Sequence, residues 1–254
     1  MNAAQALWIS EKLVAWAIFL QALELLLLRQ KTSDTGIWRW QSLKPEFGFL
    51  GTLLSPVMQG RGWLLVLIFQ AVASGSVLAG WSTPVLLWSL AAAVLLGSMR
   101  FLGTFNGGAD CMTLVILLSV AGAASFGATE PACRVTLGYI AFQSLLSYTV
   151  AGLVKLREPA WRNGTALGEF LKLPQYAVPT TLRLALSNPV YSRWIGYGVI
   201  VGELAIPLLL FTSFAPVALI GGVAFHLTNA RVFGLNRFFW AWIASYPALY
   251  KMSL

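Results

Sequence analysis

The sequence predicts an all-α fold: a polytopic transmembrane helical bundle of about eight membrane helices with short interfacial helices, forming one domain over residues 1–254. Three observations point there. Hydrophobic residues make up 58% of the chain and charged residues 10%, where a soluble domain carries about 25% charged residues. Several apolar runs reach the roughly 20 residues that cross a bilayer as a helix, and they are too long for barrel strands. The lysines and arginines gather in alternate loops, as they do in an oriented membrane protein.

Taken in order, eight hydrophobic segments cover 8–28, 62–79, 83–100, 110–127, 135–155, 193–213, 215–230 and 233–250. The first keeps Glu24 and is followed by no small-residue cleavage site, so it reads as a retained helix and not a signal peptide. The polar stretch after it contains "FGFLGTLLSPVMQG", a short apolar piece suited to the membrane surface. The longest loop, 156–192, contains "TALGEFLKL" and "PTTLRLAL", both amphipathic and too short to span. Neither an internal repeat nor a low-complexity tract interrupts the chain.

Placing the 29–61 loop in the cytoplasm puts thirteen basic residues on that side. Lys12, Arg134 and Lys251 fall on the other, and Lys155 lies within a helix. Both termini then face outward. The net charge of +8 is thus distributed by orientation, and no nucleic-acid partner is expected. Cys111 and Cys133 bracket one helix whose rise is roughly 33 Å, against about 4.4–6.8 Å between bridged Cα atoms. No intramolecular disulfide is expected.

Ionisable groups at membrane depth are costly and mark function or pairing. Five stand out: Glu24, Asp110, Lys155, Glu203 and His226. Asp110, Lys155 and His226 fall near the same leaflet. Asp110 opens a helix after "NGGAD", Lys155 closes one, and His226 lies near the basic end of another with Asn229 on its face. Ser144, Tyr148 and Ala151 precede Lys155 as one helical stripe. Two readings of Lys155 stand side by side: a headgroup anchor, or a desolvated amine able to act as a base. His226 reads as an interhelical hydrogen bond or as a proton carrier, and Asp110 as a helix cap or a site residue. Glu203, mid-helix in "VGELAIP", is suited to pairing with a neighbouring helix. One histidine and no cysteine cluster give no metal ligand set. The chain contains no phosphate-cradling glycine loop, no G-x-S-x-G and no H-E-x-x-H.

Three stretches, "FNGGADCMTLVILLSVAGA", "YTVAGLVKLREPAWRNGTALGEFL" and "FHLTNARVFGLNRFFWAWIASYP", resemble in order and spacing the horizontally transferred transmembrane (HTTM) domain family. That family includes the membrane half of vitamin K-dependent gamma-glutamyl carboxylase. The resemblance is clearest from about residue 100 to 250. It implies a membrane-embedded, carboxylase- or epoxidase-like enzyme that uses O2 and a reduced quinone, vitamin K hydroquinone or menaquinol, in peptide modification or maturation. Lys155 matches the family's AG-x-x-K-L lysine, taken as the base, with Asp110 and His226 as further catalytic residues. Asn229, Tyr148, Trp161, Asn106 and Glu203 are then expected to contact substrate. The partners implied are membrane lipid, the quinone, a peptide substrate and a soluble partner protein. Short bacterial members resemble the chain best, which implies a bacterial inner (cytoplasmic) membrane.

Two departures matter. G-A-D stands where the carboxylase has N-N-H, which leaves the use of CO2 open, and the resemblance does not extend to the carboxylase's large C-terminal domain. The alternative reading is a non-catalytic accessory, immunity or export protein for a peptide product. A carrier is disfavoured by the lack of repeated halves.

Overall fold

The structure is a computed structural model and describes residues 1–101, 107–173 and 178–253. The chain starts in helix α1 (Ala3–Leu27), opened by a reciprocal cap. Asn2 Oδ1 accepts the Gln5 N–H at 2.8 Å, and Gln5 Oε1 accepts the Asn2 N–H at 3.0 Å. The surface-suited piece after it forms the short helices α2 (Trp40–Leu43), α3 (Gly48–Leu53) and α4 (Ser55–Met58), with a 3-10 turn at Lys44–Phe47. Next come α5 (Gly60–Leu78) and α6 (Pro84–Arg100), then a π-helical turn at Gly107–Cys111 leading directly into α7 (Met112–Ser125).

Helix α8 (Glu130–Arg157) is the longest at 28 residues. The two amphipathic pieces of the long loop are helices α10 (Thr165–Lys172) and α11 (Thr180–Ser187), preceded by the short α9 (Pro159–Asn163). Helices α12 (Pro189–Leu209) and α13 (Ala215–Phe233) follow. The segment expected at 233–250 is two short helices, α14 (Asn236–Ile243) and α15 (Tyr246–Met252). Pro247 explains the division: inside a running helix it would remove a hydrogen bond and strike the carbonyl four residues back, whereas a helix's first turn accommodates it. No strand occurs among the described residues.

Four helical stretches are long and apolar enough to cross a membrane: Ala3–Leu27, Gly60–Leu78, Gly108–Ser125 and Glu130–Arg157. The 17-residue Pro84–Arg100 is apolar but shorter. Helices α12 and α13, at 21 and 19 residues, have a span's length. The pattern of burial is that of a protein in lipid. On α5, Gln70 and Ser74 are buried while Leu65 and Val72 are 64% and 63% exposed. On α8, Ser144 is buried while Val135 and Phe142 face outward. Polar groups turned inward and apolar ones outward suit hydrocarbon and would be a liability in water.

The chain forms two compact units. The N-terminal one comprises Asn2–Thr136 with Trp240–Ala244, and the C-terminal one comprises Leu137–Phe239 with Ser245–Leu254 and Met1. In the first, α1 packs along α5 and α7, and α6 packs on α5 and α7. Gln70 Nε2 donates to the Ala93 carbonyl at 2.6 Å, tying α5 to α6 through a bond that lipid would not replace. A cluster of Leu25, Trp40, Met58, Trp63 and Leu67 closes the end where the short helices lie. In the second unit, α12 packs on α9, α10, α11 and α13, and α13 packs on α15. A smaller apolar cluster, Leu171, Val178 and Leu186, seats the two amphipathic helices.

Candidate functional site

The second half of α8 carries the polar stripe of the C-terminal unit. Tyr148 and Lys155 are seven residues apart and therefore lie on one face, about 10 Å apart along the axis. Each is met by a different helix.

Lys155 is met by α12. Its Nζ donates to both carboxylate oxygens of Glu203, at 2.8 and 2.9 Å, and lies 5.5 Å from the centre of the Trp161 ring. The Glu203 side chain is 7% exposed and that of Lys155 21%. The amine is directed back along its own helix, 3.5 Å from the Ala151 carbonyl. A headgroup anchor would extend past the helix end; this one turns inward onto a carboxylate.

Glycines let these groups meet. A Cβ on Gly152 would lie 2.7 Å from Leu204 and 3.4 Å from the Cβ of Glu203, so the absent side chain is what lets α12 approach α8 at the level of the pair. Trp161 is positioned by the W-R-N-G turn. Gly164 adopts φ +83 at the end of α9, and a Cβ there would fall 2.3 Å from the Pro189 carbonyl. Asn163 Oδ1 accepts the Thr165 N–H at 3.0 Å, turning the chain into α10. On the facing helix, a Cβ on Gly196 would lie 3.0 Å from the Trp161 carbonyl. The motif is thus a short bracket that presses the indole onto α12 beside the lysine.

Tyr148 is met by α13 and α15. Its hydroxyl stands 2.6 Å from His226 Nε2 and 3.0 Å from the Tyr246 hydroxyl, giving a phenol–imidazole–phenol cluster from three helices. The cluster is enclosed by aromatic rings: Phe225 and Phe238 have centroids 5.3 and 5.1 Å from that of His226. Gly222 makes the notch, since a Cβ there would meet the Tyr246 oxygen at 2.2 Å. The break before α15 sets Tyr246 in that notch.

The structure therefore brings Lys155 together with Glu203 and Trp161, and Tyr148 together with His226. Asn229 is half-buried one turn beyond His226 on α13. Asp110 is buried in the N-terminal unit, within the π-helical turn, and the N-cap position of α7 is held by Cys111. Asn106 lies outside the described residues. Sequence reasoning missed Tyr246 and the supporting glycines 152, 196 and 222. The signals that could have found them are a glycine three residues before the lysine, on its own helical face, and the tyrosine of "ASYP" just before a helix-breaking proline.

Chemically, the arrangement offers a carboxylate and an amine joined by two hydrogen bonds, an indole beside them, and a second hydrogen-bonded cluster of two phenols and an imidazole. No curated protein and no solved structure matches the chain. A model of the HTTM domain family matches residues 125–253, more than half of the chain, and this range takes in Tyr148, Lys155, Trp161, Glu203, His226, Asn229 and Tyr246. A membrane-embedded helical fold, the inward-turned lysine and this match together mean that the protein belongs to the HTTM domain family.

Proposed function

We propose that the protein is a membrane-embedded enzyme dependent on a reduced quinone and O2, related in chemistry to the vitamin K-dependent carboxylase and acting in peptide modification or maturation. The observation that carries this reading is the Lys155–Glu203 pair, its carboxylate buried and both carboxylate oxygens within 2.9 Å of the amine. A reduced quinone presents an acidic hydroxyl on a flat apolar ring. The residues suit that chemistry: a carboxylate to take a proton, an ammonium to compensate the charge left behind, and an indole beside them.

Bound there, a reduced quinone would supply the electrons for reaction with O2. The pair refines the role expected of Lys155. An amine that donates to both oxygens of a buried carboxylate serves as its charge partner, since an unpaired buried carboxylate is costly. Glu203 accordingly takes the proton and Lys155 supplies the positive charge. The pair begins with no net charge and ends at +1, which the quinol anion balances, so pair and quinone together bring no uncompensated ion into the membrane. Trp161 orients the ring, and His226 with Tyr148 and Tyr246 forms a second proton-holding group on the same helix face. A peptide substrate and a soluble partner that delivers it complete the proposal; CO2 is an optional co-substrate.

The test is purified protein supplied with menaquinol or vitamin K hydroquinone and O2, assayed for quinone epoxide. Turnover is expected from the wild type and a loss of about 100-fold or more from Lys155→Ala and from Glu203→Gln, the size of one lost general-base or electrostatic contribution. Wild-type turnover that survives Lys155→Ala unchanged overturns the assignment.

The same salt bridge favours a second reading, a non-catalytic accessory in which the pair only pins α8 to α12. That reading predicts no turnover by the wild type and no co-purifying quinone, with Lys155→Ala changing assembly alone.

A further inference from the structure

The N-terminal unit contains a cavity of about 690 Å³ where α1 ends and α5 begins. It is lined by Arg29, Arg61, Ser33 and Thr35, with Trp63, Leu64 and Leu67 as its apolar part. The base is fixed by Trp63, 3% exposed, and Leu67, fully buried, and Leu64, 36% exposed, supplies the apolar surface that a ligand can cover. Among the described residues, neither Arg29 nor Arg61 forms an ion pair. Two arginines outside any ion pair therefore line a cavity with an apolar base.

The cavity is built in advance. Arg100, fully buried at the end of α6, donates to the carbonyls of Thr32 and Met58, tying together the two segments that supply the lining, and stacks 5.3 Å from the Trp63 ring. Trp63 Nε1 donates to Thr32 Oγ1 at 3.2 Å, which holds the loop over the floor. Gly60 turns the chain into α5 at φ +48, a conformation that favours glycine. The one carboxylate on the wall, Asp34, interacts electrostatically with Arg100. It forms no ion pair with Arg29 or Arg61 among the described residues, and the two guanidiniums outnumber it on the wall.

Position and charge together identify that ligand. The ends of two membrane-length helices meet here, so the cavity stands at headgroup level, and Leu27 and Leu28 beside it are 84% and 48% exposed. The basic bias assigns this loop to the cytoplasmic leaflet, where anionic lipids create a negative surface. We propose that the cavity seats the phosphate of an anionic phospholipid, with Arg29 and Arg61 on the phosphate oxygens and the acyl chains lying on the apolar floor and collar. Guanidinium pairs suit phosphate because their fork matches its oxygens. A zwitterionic lipid lacks the net charge, and inorganic phosphate lacks the apolar part that the floor would cover.

Native mass spectrometry of the full-length protein, delipidated in detergent and titrated with phosphatidylglycerol, tests this. One tightly held phosphatidylglycerol is expected, with phosphatidylcholine held far more weakly. Arg29→Gln and Arg61→Gln should each weaken retention about fivefold, the usual contribution of one basic residue at an anionic surface. Both arginines are exposed, so the fold is kept; the double change to lysine should restore most of the retention. Lys31→Gln removes a charge from the same loop away from the cavity and should leave retention unchanged. Equal retention of phosphatidylcholine, or equal loss in Lys31→Gln, overturns the site. Competition by inorganic phosphate at the same concentration would replace the lipid with a free anion and equally overturn it.

Discussion

At the residue scale, the pair of Lys155 and Glu203 ties α8 to α12 through opposite charges. Removing either partner strands the other in a dry site, at a cost of about 3 kcal/mol, the lower end for a buried pair because the lysine is 21% exposed. Glu203→Gln and Lys155→Met should each lower the unfolding midpoint in detergent, and the double variant should recover most of the loss. Gly222 gives a second test. Alanine there places a methyl 2.2 Å from the Tyr246 oxygen, which must move and lose its 3.0 Å contact with Tyr148. A destabilisation of about 1–2 kcal/mol is expected, and adding Tyr246→Phe, which removes the clashing oxygen, should restore part of it. Lys155, Glu203, His226 and Tyr148 were legible in the sequence because polar groups at membrane depth need a reason. That Lys155 meets Glu203, and Tyr148 meets His226 and Tyr246, was not. Helical periodicity gives the face of a residue but not the neighbour opposite.

At the scale of elements, contact between α8 and α12 depends on a missing side chain. Gly152→Ala sets a Cβ 2.7 Å from both Cγ and Cδ2 of Leu204, so the whole leucine must shift and draw Glu203 with it. The expected result is a lower midpoint together with weakened coupling between Lys155 and Glu203 in a double-mutant cycle. Leu204→Ala should relieve it, and a Gly152→Ala variant as stable as the wild type would remove the glycine from this role. Seven of the eight apolar segments read from the sequence are single helices close to their expected positions, since a 20-residue apolar run has few alternatives in lipid. The eighth is bent before Pro247. Hydropathy averages over that break, and only the backbone chemistry of proline announces it. The amphipathic helices α10 and α11 were legible from their alternating faces, whereas the pressing of the Trp161 turn onto α12 depends on long-range contacts with Gly196 and Pro189 that no local pattern records.

At the scale of the whole molecule, the charge bias predicts one orientation. In a background without Cys111 and Cys133, Ile37→Cys, 72% exposed in the basic loop, should resist a membrane-impermeant maleimide in intact cells. Phe126→Cys, 77% exposed after α7, should react. The opposite pattern would invert the orientation and move the lipid site to the other leaflet. Buried polar groups and outward apolar ones were foreseeable from composition; the two compact units were not, because nothing in the hydropathy marks a boundary within α8. The 48 residues between Lys155 and Glu203 also bear on biogenesis. A nascent chain threads its helices into the bilayer in order of synthesis, so Lys155 arrives before its carboxylate has left the ribosome. In that interval its long side chain must reach for the headgroups it later abandons. Final seating of α8 thus waits on translation of α12, and a chain stopped between them should leave that helix loosely held and open to quality-control proteolysis.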